Sequence, residues 1–163
     1  MSSTIHHSTK SEASEKVSAG VFRLIYRSRS KISDADMDRE LGEILRVART
    51  GNAAKGITGA LLLYDHWFAQ VLEGEEVQVR KLFAAIKTDP RHGSVELTQE
   101  ANVPARTFGR WAMANVGEHG SADKPLVVTS AGTTEGAPWR LDDAQEKVVS
   151  VLRNLTRGYG IGS

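Results

Sequence analysis

Residues 68–74 read Phe68-Ala69-Gln70-Val71-Leu72-Glu73-Gly74. An aromatic and aliphatic run closed by a glycine is the pattern of a strand interior. Alternation along such a strand puts Phe68, Gln70 and Leu72 on one face and Trp67, Ala69 and Val71 on the other. A primary amide therefore stands between two large apolar neighbours. Buried there, it has two donors and two acceptor lone pairs to satisfy, and each group left unmet costs roughly 1–3 kcal/mol. Gln70 needs a partner, and the surrounding chain must supply it.

Working outward, Ile57 to Tyr64 is a nearly continuous apolar strand, and Asp65-His66 forms a tight turn into the Gln70 strand. After Gly74, the spacing of Val79, Leu82, Phe83 and Ile86 predicts an amphipathic helix that Asp89-Pro90 stops. Nearer the N-terminus, Val21 to Arg27 reads as a strand with Phe22, Leu24 and Tyr26 on one face. Ser33, with Asp36 three residues on, resembles a helix start. Met37, Leu41, Ile44, Leu45 and Ala48 then form an apolar stripe, with Gly51 and Gly56 as its terminators. Ser94 to Val103 and Phe108 to Val116 read as two more strands. The order is β-α-β-β-α-β plus one strand, which predicts a ferredoxin-like α+β sandwich with two helices on one sheet face.

The 163 residues suffice for one domain with extensions. Residues 1–20 form a polar, Ser-rich extension, and 117–140 form a linker rich in glycine and proline. In the segment 141–158, Leu141, Ala144, Val148, Leu152 and Leu155 recur at helical spacing. A lone amphipathic helix must dock to be stable, either on the open sheet face or on a partner subunit. The formal charge of +1 carries no basic footprint for nucleic acid. Without cysteine there are no disulfides, thiol catalysis or thiolate metal sites. The longest apolar run, Ala60 to Tyr64, is too short for a membrane span, and no signal peptide is visible, so a cytoplasmic protein is expected.

The polar residues near the core each have a plain structural reading. Tyr26 and Gln70 would hydrogen-bond each other, Asn52 would cap a helix, and Trp111 and Met113 would fill the core. Asp89-Pro90-Arg91-His92 would be a helix stop and a surface turn, and His92 alone makes no catalytic base. His6 and His7 are adjacent, which suits a solvated tail better than a metal site. Dinucleotide, triphosphate, zincin and Gly-x-Ser-x-Gly patterns are all missing.

Five strings change that balance: Phe22-Arg23-Leu24-Ile25-Tyr26-Arg27-Ser28, Asn52-Ala53-Ala54-Lys55-Gly56-Ile57-Thr58-Gly59, Phe68 to Gly74, Asp89-Pro90-Arg91-His92, and Trp111-Ala112-Met113. In this order and spacing, over residues 21 to about 116, the chain resembles the BLUF family of blue-light sensors that use FAD. The resemblance implies a flavin ring between the two helices, with Ile44 and Ile86 as walls and Phe68 as a further cofactor-binding residue. Asn52 would pair with the edge of the ring, and Asp89 and Arg91 would help to hold the flavin. Tyr26 and Gln70 match the photoactive tyrosine and glutamine. Trp111 and Met113 match the pair that exchanges places near that glutamine. Gly51 stands where relatives often carry Asn or His beside the ring, so one edge contact is missing.

The implied scheme is transfer of an electron and a proton from Tyr26 to excited flavin, followed by rearrangement of the Gln70 amide. That changes the hydrogen bond at flavin O4 and reddens an oxidised spectrum. The Trp111–Met113 strand would relay the change to the C-terminal segment. No cyclase, phosphodiesterase or DNA-binding domain is read after the sensor. Enzymatic activity is therefore not expected, and output would pass through a protein effector or through self-association as a homodimer or larger oligomer. No string discriminates FAD from FMN. Two other readings stay open: a flavin-free ferredoxin-like interaction module, and a small acylphosphatase-type enzyme whose Gly-rich loop before an arginine is missing here.

Overall fold

The computed structural model describes residues 20–109, 111–116 and 141–157, together with the backbone of 126–129 and 132–135. The elements in chain order begin with β1 (Val21–Ser30), a 3-10 turn (Asp34–Asp36) and α1 (Met37–Lys55). Next come β2 (Thr58–Tyr64), β3 (Trp67–Gly74), α2 (Glu76–Thr88) and β4 (His92–Val103). Last are β5 (Ala114–Asn115), β6 (Leu126–Thr129), β7 (Gly132–Glu135) and α3 (Asp143–Thr156).

The main sheet has the order β4-β1-β3-β2-β5. β1 runs antiparallel to both β3 and β4, and β3 antiparallel to β2. β1 and β2 are therefore parallel, with α1 crossing between them, and α2 makes the equivalent crossing from β3 to β4. This is the ferredoxin-like arrangement expected from the pattern. The β2–β3 hairpin closes through Asp65 (φ 49°) and His66 (φ 66°), the two left-handed residues of a type I′ turn. Gly56 ends α1 in the same region at φ 67°. Gly51 does not end it: the helix continues through Gly51 and Asn52 to Lys55.

Each face of the sheet has its own core. Toward α1 and α2 pack Phe22, Leu24, Tyr26, Leu61, Phe68, Leu72 and Met113, met by Leu45, Val79 and Phe83 from the helices. On the opposite face Ile25, Ala60, Leu62, Ala69, Val71 and Trp111 meet Val148, Val149, Leu152 and Leu155 of α3. The C-terminal helix thus lies on the open sheet face of its own chain. It starts with a full capping box, in which Asp142 accepts from the Gln145 N–H and Gln145 reaches back to the Asp142 N–H.

The segment expected to form a strand from Phe108 to Val116 is mostly irregular. Only Ala114–Asn115 pairs regularly, parallel to β2, and a bend at Ala112 precedes it. Within the span read as a linker, β6 and β7 pair antiparallel as a separate two-stranded sheet. The polar extension over 1–20, with His6 and His7, lies outside the described residues apart from Gly20.

Candidate functional site

Tyr26 on β1 and Gln70 on β3 are direct register partners. Period-two alternation places both on the helix-facing side, with Tyr26 fully buried and Gln70 nearly so. The Tyr26 hydroxyl donates to Gln70 Oε1. Burial pushes the phenol's pKa up, with the charge of Asp89 as the second cause. Gln70 Nε2 points at the Met113 sulfur, 3.2 Å away. Thioether sulfur is a weak acceptor, so the amide is held firmly on its oxygen side and loosely on its nitrogen side.

Above this pair lies a cleft of 210 Å³ between the two helices. Its walls are aliphatic: Ile44, Val47 and Ala48 from α1, and Leu82, Ala85 and Ile86 from α2. Tyr26, Leu61 and Gln70 form the floor, while Asn52, Asp89, Arg91 and His92 supply polar groups around it. Asn52 is 2% exposed and donates through Nδ2 to the Ala112 carbonyl at 3.1 Å. Its Oδ1 accepts nothing from the described residues and remains available to the cleft. Asn52 is therefore more than a helix cap.

Asp89 and Arg91 form a two-pronged pair, with Nε to Oδ1 at 3.0 Å and Nη2 to Oδ2 at 2.7 Å. That pairing, above all its hydrogen bonds, holds the Asp89 carboxyl below the usual carboxylate range. Arg91 also approaches Glu40 at 3.5 Å. A second cleft, lined by Lys31, Ser33, Asp36, Glu40 and Arg91 among others, shares Arg91 with the first.

Three placements expected from the sequence need correction. His92 is not on a surface turn but 8% exposed, with Nδ1 2.7 Å from the Ser28 hydroxyl and its ring 4.6 Å from that of Phe68. Burial drives its pKa down to about 4, so the ring is neutral near neutrality. Ser28 lies two residues beyond Tyr26 on the same strand face, a signal the period-two pattern already carried. Trp111 is the second correction, and Phe68 the third. Because the chain bends at Ala112, Trp111 and Met113 do not share a face. Met113 sits against Gln70, while Trp111 packs beside Phe108 in the α3-side core, with ring centroids 5.9 Å apart. Phe68 is buried beneath His92 and does not line the cleft.

The cleft suits a flat ring that is apolar on both faces and hydrogen-bonding along an edge. Aliphatic walls would sandwich the faces, while the open side of Asn52 and the loosely held nitrogen of Gln70 would meet the edge. Fold and site together define a ferredoxin-like sandwich with a ligand slot between its helices and a buried phenol–amide pair at the bottom. Residues 21–114, more than half of the chain, match the sequence model of the BLUF family, described as sensors of blue light using FAD. The chain belongs to that family.

Among curated proteins it is 38% identical over 90 residues to the blue light- and temperature-regulated antirepressor BluF of Escherichia coli (strain K12). It is 34% identical over 91 residues to the photoactivated adenylate cyclase subunit beta of Euglena gracilis. These matches span 55% and 56% of this chain but only 22% and 11% of the two relatives. Among solved structures, BlsA in its photo-activated state superposes with a TM-score of 0.58 at 35% identity, covering 60% of this chain and 69% of BlsA. The dark-state BLUF protein BlrB gives 0.57 at 33% identity, covering 63% of this chain and 76% of its own.

Proposed function

We propose that this chain is a blue-light photoreceptor that holds FAD between α1 and α2, with Tyr26 and Gln70 as its photoactive pair. The observation that carries the reading is the buried Tyr26–Gln70–Met113 chain of contacts beneath an aliphatic slot. A structural amide in a finished core would be satisfied on both sides. Here Gln70 has a strong partner on its oxygen and only a sulfur on its nitrogen.

A bound flavin supplies absorption of blue light and, once excited, an acceptor for an electron and a proton. Tyr26 is the donor on the protein side. The phenol is protonated in the dark, and burial raises its pKa further, so the donor is a neutral O–H hydrogen-bonded to Gln70. Gln70 is the switch, since an amide has a donor and an acceptor at opposite ends of one group. Reorientation exchanges what it presents to Tyr26, to Met113 and to the slot. Ile44 and Ile86 would hold the ring faces, Asn52 would meet the edge, and Asp89 and Arg91 would add polar contacts at the slot. Lys31 and Arg91 line the adjoining polar cleft, and their charge would suit a phosphate-bearing tail.

Met113 receives the change, and its carbonyl is tied to α1 through Arg49 Nε at 3.0 Å. The 111–116 segment then passes it toward the C-terminal part of the chain. Trp111 acts from the far face of the sheet, as part of the layer under α3. We assign no catalysis to this chain, and its output is a protein effector or a second copy. Tyr26→Phe and Gln70→Ala test the roles: both should bind flavin, and neither should show the reversible light-induced spectral shift. A normal photocycle in either variant would overturn the assignment.

A further inference from the structure

We propose that Arg27 is a positioning residue that couples the Tyr26–Gln70 pair to the C-terminal helix, its guanidinium capping α3 through the sheet from β1. The inference rests on the sensor reading above. Tyr26 and Gln70 face each other in register, and each is flanked by residues that point the other way. On β1 these are Ile25 and Arg27, and on β3 they are Ala69 and Val71. Ile25, Ala69 and Val71 belong to the apolar layer under α3, and Arg27 binds the helix end itself. The photoactive pair and the helix are thus separated by one thickness of sheet backbone.

Arg27 makes the most directional of these contacts. Nη1 donates to the Leu155 carbonyl at 3.1 Å, one of the terminal helix carbonyls that need a partner from outside the helix ladder. A cation at that end also complements the helix dipole. The guanidinium is itself fixed, because Nε donates to Glu96 at 3.0 Å and Cζ lies 4.3 Å over the Trp67 ring. At 11% exposure the side chain has little room to seek another partner. A shift of β1 at Tyr26 is carried to Arg27 by the shared backbone and changes the fit of a planar, five-donor group to one carbonyl.

The other end of α3 is held separately. Gln145 Nε2 donates to the Thr107 carbonyl at 3.1 Å, and the adjoining N–H groups of Thr107 and Phe108 donate to Glu73. The proposal therefore concerns the last turn of α3, which should loosen in the light while the first turn stays docked.

The test is amide hydrogen exchange of the full flavin-loaded chain, in darkness and under blue light, on peptides covering 150–157 and 141–147. The flavin spectrum is recorded on the same samples. Wild type should exchange several-fold faster at 150–157 in the light, with little change at 141–147. Arg27→Gln should keep the spectral shift, exchange fast at 150–157 already in darkness, and show no further light increment. Arg27→Lys should fall between the two.

A wild type that shifts colour without any exchange change at 150–157 overturns the inference alone. Arg27→Gln with wild-type dark protection and light increment overturns it as well. A wild type without any colour shift refutes the sensor reading, and the inference falls with it. Should Arg27→Gln fail to fold, Arg27→Lys carries the test, and wild-type dark protection with a full light increment in that variant overturns the inference.

Discussion

Replacing Glu73 with alanine removes a fully buried carboxylate that organises the loop after β4. Its Oε2 accepts from the Thr107 N–H at 2.7 Å, and its Oε1 from the Phe108 N–H at 2.8 Å and from the Thr58 hydroxyl at 3.2 Å. The Arg23 guanidinium stands 3.6 Å away and is 16% exposed. Alanine would leave two backbone N–H groups without acceptors, at about 1–3 kcal/mol each. Arg23 would also lose its counter-charge, at a cost below the roughly 3–5 kcal/mol of a fully buried pair because its side chain still reaches solvent. The two amides alone come to about 2–6 kcal/mol, and the Arg23 loss adds to that, a large part of the ~5–15 kcal/mol that holds a small domain folded. Urea unfolding at neutral pH would measure it. Glu73→Gln keeps one acceptor oxygen and should lose about half as much. A loss under about 1 kcal/mol for Glu73→Ala, with an unchanged m-value, would show that the carboxylate does not hold this loop.

Acid should destabilise the fold through His92, whose pKa falls from 6.5 to about 4 on burial. The unfolded chain binds the proton first, so the stability is fully present above about pH 6.5 and is lost as pH falls toward 4, by about 3 kcal/mol in all. Urea midpoints across that window should slope for wild type and flatten for His92→Gln; equal slopes would count against a buried neutral ring. Leu152→Ala empties the centre of the α3 contact, where Leu152 is wholly buried, and should cost about 2–5 kcal/mol by the same assay. A near-neutral result would mean that α3 does not pack firmly on the sheet.

Much of this architecture was legible because it depends on local period. The alternation around Gln70 and along Val21 to Arg27 placed both side chains on one face, and register then made them neighbours. The helical stripes put Ile44 and Ile86 on the apolar faces of their helices; that these faces wall a slot came from the family resemblance and not from the period. What escaped depends on contacts distant in sequence or on broken regularity. Nothing local to Glu73 marks it as buried; the loop at 107–108, distant in sequence, folds over it. His92 follows a turn signal, and only the approach of β1 buries it against Ser28. Trp111 and Met113 are spaced as same-face strand residues, yet the bend at Ala112 sends them to opposite sides. Gly51 looks like a helix terminator, but the helix holds through it because Asn52 anchors the next turn to the Ala112 carbonyl.

In the proposed scheme a buried amide, poised between a phenol and a sulfur, changes its hydrogen bonding when a flavin beside it absorbs light. The most direct measurement is the light-minus-dark absorption spectrum of the flavin-loaded chain. The expected result is an oxidised flavin spectrum displaced to longer wavelength under blue light, returning fully in darkness. A spectrum that does not move, or one that bleaches to reduced flavin without recovery, would contradict it.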